Sequence, residues 1–244
     1  MSDILKKAHQ YSLQFSCRIP LRTELKASER EALKANLQEL DPTHYQIFDA
    51  GIQVPQRGPA PLYQVFRQYN MDGGAVATAP SFFIGTDAIT IYHLIKAGER
   101  TFHHDISLQA KDLNKKMETS LFKVAEILKG LRFSRAGKIF EIVIPYSAGD
   151  KPALLKKILA DNSADIAVVQ LVFNRIVAGS SGKLMNINTQ VIFQQMKLED
   201  NFNLMVKVDI NNRDLANSME PRDVAAVWKE ADELIGASLE AVTL

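Results

Sequence analysis

One order of apolar patterns occurs twice along this chain: strand, short helix, three strands, long helix. Residues 1–134 carry the first series and residues 135–244 the second. Few folds accept such an order. Strands joined by short turns pair as antiparallel hairpins, and the helix that closes each series must bury its apolar stripe against them. The expectation is an α+β protein in which two strand-helix-three-strand-helix units form one curved antiparallel sheet with helices on one face.

The first series opens on a strand in which Leu13, Phe15, Cys17 and Ile19 alternate with Gln14, Ser16 and Arg18. Ser28 with Glu31 reads as a capping box for a helix whose stripe is Leu33, Leu37 and Leu40, ended by Asp41-Pro42. Strands are expected at Tyr45–Val54, Leu62–Tyr69 and Phe82–His93, with turns at Pro55–Pro61 and Asn70–Pro80. A long helix starts near Ser107, repeats Leu113, Met117, Leu121, Val124, Leu128 and Leu131 at helical spacing, and closes at Gly130 or Gly137.

Ser134–Gly137 is a link too short to separate independent bodies, so the sheet should run on into the second series. That series has a strand at Ile139–Ile144 and a short helix capped by Asp150 with Leu154, Leu155, Ile158 and Leu159. Three strands follow at Asp165–Val177, Leu184–Lys197 and Phe202–Ile210, with Ala178–Lys183 as a hairpin tip. Pro221 begins a last helix with the stripe Val224, Val227, Trp228, Ala231, Ile235 and Leu239.

With helices on one face, alternate strand residues define the other. Asn186, Asn188, Gln190 and Gln194 fall on it, as do Asn203, Met205, Lys207 and Asp209, with Gln170 and Asn174 from the strand before and Gln14, Gln64 and Gln68 from the first series. Side-chain amides both donate and accept, so this face suits a neutral hydrogen-bonding partner, or simply water. The charge balance, 29 Lys and Arg against 28 Asp and Glu, disfavours nucleic acid, because phosphate binding draws on a basic surplus.

Catalytic signatures are sparse. His103, His104 and Asp105 form the most reactive-looking cluster, yet adjacent side chains on an extended segment diverge. Asp105 or Ser107 capping the long helix is the plainer reading. Gly179–Lys183 lacks the spacing of a phosphate loop, and Asp72-Gly73-Gly74 reads as a turn. Glu230, Asp232 and Glu233 lie on the polar side of the last helix and read as solvating residues. The lone Cys17 allows no intramolecular disulfide and reads as a buried thiol. No motif implies a cofactor or a metal. The N-terminal MSDILKK lacks the apolar core of a signal peptide, and no apolar run approaches the roughly 20 residues of a membrane span, so a cytoplasmic protein off the membrane is expected.

Phe173-Asn174-Arg175-Ile176, Val208-Asp209-Ile210 and the closing stretch Ala231-Asp232-Glu233-Leu234 through Leu239-Glu240-Ala241-Val242-Thr243 resemble the C-terminal third of a family of sporadically distributed, uncharacterised bacterial proteins. Val172 and Leu239 replace aromatic residues usual in that family. The resemblance implies no activity; it makes Asn174, Arg175 and Asp209 positions of interest, with an Arg175–Asp209 cross-strand pair as their structural alternative. The element order is also similar to the repeat of the TATA-box-binding protein and of helix-grip ligand binders, an analogy of fold alone.

The functional expectation is a non-catalytic protein that binds a protein partner, a second copy included, through its sheet face or edge; Phe202–Ile210 is the edge strand that a homodimer would cover. The alternatives are a helix-grip pocket supplied by Phe66, Phe82, Phe83 and Tyr92, and a metal-dependent hydrolase or nuclease built on His103, His104 and Asp105.

Overall fold

The computed structural model describes residues 8, 10–40, 45–48, 62–70, 76–96, 106–146, 168–195, 202–213 and 218–241. Among them are nine strands and three helices. The strands are β1 (Gln10–Arg18), β2 (Tyr45–Phe48), β3 (Tyr63–Asn70), β4 (Val76–Ile84), β5 (Ala88–Lys96), β6 (Arg135–Tyr146), β7 (Val168–Ala178), β8 (Leu184–Gln195) and β9 (Phe202–Asn212). The helices are α1 (Ala27–Leu40), α2 (Ile106–Ile127) and α3 (Pro221–Ala241).

All the strands join one antiparallel sheet in the order β2-β3-β4-β5-β1-β6-β9-β8-β7. The junction of the two series is the pairing of β1 with β6, which runs from Gln10 opposite Val143 to Arg18 opposite Arg135. Every strand of the first series therefore lies on one side of that junction, and every strand of the second on the other.

One face of the sheet is the core. Leu13, Phe15 and Cys17 of β1, Phe140, Ile142 and Ile144 of β6, Val206, Val208 and Ile210 of β9, and Ile187, Val191 and Phe193 of β8 are all buried. Val224, Val227, Trp228, Ala231 and Ile235 of α3 bury the matching stripe. The Trp228 ring meets Phe15 edge-on, with centroids 4.8 Å apart, which fixes α3 over the β1–β6 junction. Cys17 is buried as expected; burial pushes its thiol far above the ordinary range and leaves it unreactive.

Helix ends follow local chemistry. The α1 start lies earlier than the Ser28–Glu31 box: the Lys26 N–H donates to Glu29 Oε2 at 2.9 Å, and Arg22 holds the other oxygen at 3.0 Å. Ser28 is already inside the helix. At α3 the Glu220 N–H donates to Asp223 Oδ2 at 2.9 Å, with Pro221 at the first helical position. Beyond α2, Gly130 takes a φ of +77°, the left-handed stop that glycine supplies most readily. Gly137 is not part of that stop; it lies in β6, where the Ile210 carbonyl would stand 2.6 Å from any Cβ.

Several expectations need correction. Among the described residues the first series holds four strands after its helix, because Phe82–His93 is a hairpin, β4 and β5, turned at Gly85 with its N–H bonded to the Ala88 carbonyl. The turn expected at Asn70–Pro80 is in part β4. The link lies earlier than expected, at residues 128–134, since α2 ends at Ile127 and β6 starts at Arg135. The strand Phe202–Ile210 is no edge: β9 lies between β6 and β8, and among the described residues the sheet ends at β2 and β7. The helix expected after Asp150, the Pro55–Pro61 and Asp72–Gly74 turns, and His103, His104 and Asp105 fall outside the described residues.

Candidate functional site

Strand alternation sends the second residue set of β1, β6, β9, β8 and β7 away from the helices. Register then aligns these side chains in rows across the sheet. One row is Gln14, Ile139, Asp209, Asn188 and Asn174; its neighbours are Ser16, Gly137, Asn211, Asn186 and Ile176 on one side, and Ser12, Glu141, Lys207, Gln190 and Val172 on the other. Five of the six positions singled out from sequence (Asn174, Asn186, Asn188, Gln190 and Asp209) thus share one surface.

They are also wired together. Asn188 Nδ2 donates to Asn174 Oδ1 at 2.5 Å, and Gln190 Nε2 donates to Asn188 Oδ1 at 2.9 Å. Nearer the centre, Asn186 Nδ2 donates to Asn211 Oδ1 at 3.3 Å, and Asn211 Nδ2 donates to Asp209 Oδ1 at 3.2 Å. Two of these links are two-residue steps along one strand and two join residues directly opposed on neighbouring strands, so all four lie on the same face of the sheet. The result is a patch of oriented amides, exposed at Asn174 and half-buried at Asn186, Asn188 and Gln190, whereas Asn211, Ser12 and Gln64 of the same face are buried.

Arg175 is the exception. It shares the parity of Phe173, on the helix side, and donates to Ser238 Oγ of α3 at 3.1 Å. It stands opposite Ile187, and β8 separates its strand from Asp209, so the two form no cross-strand pair.

Three further groups take their setting from the fold. Tyr92 faces the open side beside Ser12 and Glu141; burial pushes its phenol up, the Ser12 hydrogen bond pulls it back, and the Glu141 carboxylate raises it further. Lys138 points into the core, 1% exposed, 2.6 Å from Asp232 and 4.6 Å from the centre of the Phe15 ring. Its parity with Phe140 and Ile142 was the available sign. Glu230 is not a solvating residue: it is 5% exposed and accepts the Ser181 N–H at 2.6 Å, tying α3 to the β7–β8 hairpin tip.

Of the aromatic residues expected to line a helix-grip pocket, the Phe66 side chain lies outside the described ones, and the other three divide between the two faces. Phe82 is buried on the helix side against Tyr63, whereas Phe83 and Tyr92 belong to the opposite face. A half-open groove of about 630 Å³ lies elsewhere, at the sheet end between the β8–β9 termini and the start of α3. Lys183 and Arg213 on its wall are offset by Asp223, whose carboxylate is engaged in the α3 cap. Among the described residues no three His, Cys, Asp or Glu side chains cluster as a metal site, and no helix is long and apolar enough to cross a membrane.

No protein family matches this chain, and no curated protein does either. Among solved structures, the di-domain ARO/CYC StfQ from the steffimycin biosynthetic pathway aligns over 92% of this chain and 93% of its own, at 9% identity and a TM-score of 0.19. A likeness that weak carries no argument about this chain.

Proposed function

We propose that this protein is a non-catalytic interaction module that engages a protein partner through the β9–β8–β7 end of its sheet, face and edge together. The observation that supports this reading is the linked amide patch on the face turned away from the described helices. Asn174, Asn188 and Gln190 are oriented by one another and retain hydrogen-bonding capacity toward a neutral partner. Exposed Val168, Val172 and Ile176 on the same face supply apolar contact beside them. The near-balanced charge fits a neutral polypeptide better than a phosphate backbone. The likeness to the bacterial family belongs to the same proposal, as does the reading of the two series as matched units: the Asn174 and Asp209 motifs both reach this face.

The test is a photo-crosslinking amino acid placed at Asn188, with a control at Lys229 on the exposed side of α3. Capture of a protein from Asn188 and not from Lys229 is expected. Equal capture from both positions, or a small molecule retained by the purified protein in native mass spectrometry and displaced by substitution of Asn188, would overturn the reading.

A further inference from the structure

The strand β7 ends the sheet, and among the described residues no strand pairs with its outer side. Edges of this length are ordinarily blunted by lysine, proline, a bulge or brevity. β7 lacks these protections apart from one charge, Arg175: Val168–Ala178 pairs with β8 in unbroken register and contains neither Lys nor Pro. Val172, Phe173 and Ile176 are 48%, 48% and 53% exposed, on both sides of the strand.

We infer that a second copy of this chain covers that edge, β7 pairing antiparallel with its own counterpart about a two-fold axis at Asn174. This names the partner for the edge in the interaction reading above and rests on that reading. The strand is self-complementary in this register. On the open face Asn174 meets its counterpart amide, and Val172 meets Ile176 of the other copy. On the helix side Leu171 meets Val177, and Arg175 meets Phe173. Arg175 is the one charged residue of β7, already held toward that side by Ser238. The register sets its guanidinium beside an exposed aromatic ring and sets no like charges opposite each other. Shifting the axis to Phe173 would put Val172 against Asn174 and Arg175 against Leu171, losing both matches. Two sheets joined this way become one continuous sheet, and the amide patches of the two copies adjoin across the axis.

Sedimentation equilibrium of the whole chain, together with Asn174→Cys crosslinking, tests this. Paired residues on the axis bring Cα atoms to about 4.5–5.5 Å, within disulfide range. Buried Cys17 does not compete. Expected are a concentration-dependent dimer, a disulfide dimer from Asn174→Cys on mild oxidation but not from Gln170→Cys, and dimer affinity reduced roughly tenfold or more by Val172→Lys, which buries a charge in the pair. Circular dichroism verifies that each variant is folded. A monomer at every concentration, a dimer indifferent to Val172→Lys, or equal crosslinking from positions 170 and 174 would overturn the inference. If the chain is monomeric while the probe at Asn188 still captures another protein, the dimer fails and the interaction reading stands.

Discussion

Lys138 and Asp232 meet at 2.6 Å beneath α3, the lysine almost sealed and the carboxylate more than a third exposed. The asymmetry decides what each residue contributes. Desolvation lowers the Lys138 pKa below its ordinary 10.5, while the Asp232 charge and hydrogen bond pull it back up. Removing the carboxylate takes from the buried cation its nearest opposite charge, whereas replacing the lysine by an apolar chain removes the desolvation cost with it.

Asp232→Asn should therefore destabilise by about 1–3 kcal/mol, less than a fully buried pair because water screens the carboxylate. Lys138→Met should be neutral or stabilising near pH 7. Between the folded-state pKa and 10.5 the unfolded chain holds more protons, so this site makes stability rise with pH across that window. Urea titrations at rising alkaline pH should show the wild type gaining on Lys138→Met. A constant difference would contradict this account of the pair.

Glu29 shows the opposite sign. Burial alone would raise its carboxyl, but the Lys26 N–H and Arg22 outweigh it, and its pKa lies below 4.5. Its contribution is complete above the unfolded value and is lost as pH falls through the folded one. Glu29→Ala should cost about 0.5–2 kcal/mol at neutral pH, and that difference should shrink in acid denaturation series.

Two glycines should fail for different reasons. Gly137→Ala drives a methyl against the Ile210 carbonyl and Asn211, costing about 1–3 kcal/mol. Gly130→Ala has open space but a positive φ, costing about 1 kcal/mol. Asn should partly rescue position 130 and worsen position 137, read by thermal melting.

Glu230→Ala removes the acceptor of the Ser181 N–H. A loss of about 1–3 kcal/mol is expected, with faster hydrogen exchange confined to the Gly179–Lys183 tip. Uniformly faster exchange throughout the sheet would instead mean that Glu230 supports the whole core.

The second series was the more legible because β8, β9 and α3 carry clean periods of two and of three to four, and their bounds moved by no more than two residues. β4 was hidden by Pro80, normally a sign against a strand. Here Pro80 stands opposite Phe66 while Phe82 stands opposite Val65, so Ser81 is the extra residue of a bulge, and the pairing with β5 runs from Phe82 to Ile84. Sheet order was the larger gap. Nothing local to Phe202–Ile210 says that β9 returns beside β6, which left β7 unrecognised as the edge. Arg175 lies in an otherwise neutral strand, and its side became readable only through the shared parity with Phe173.

One-sided covering of the sheet underlies both the amide patch and the exposed edge, and thiol labelling along β8 measures it most directly. Single cysteines at Asn186, Asn188 and Gln190 should label fast, and those at Ile187, Thr189 and Val191 should label only on unfolding. Protection at both sets, or rapid labelling of the second set in the folded protein, would contradict an open amide face.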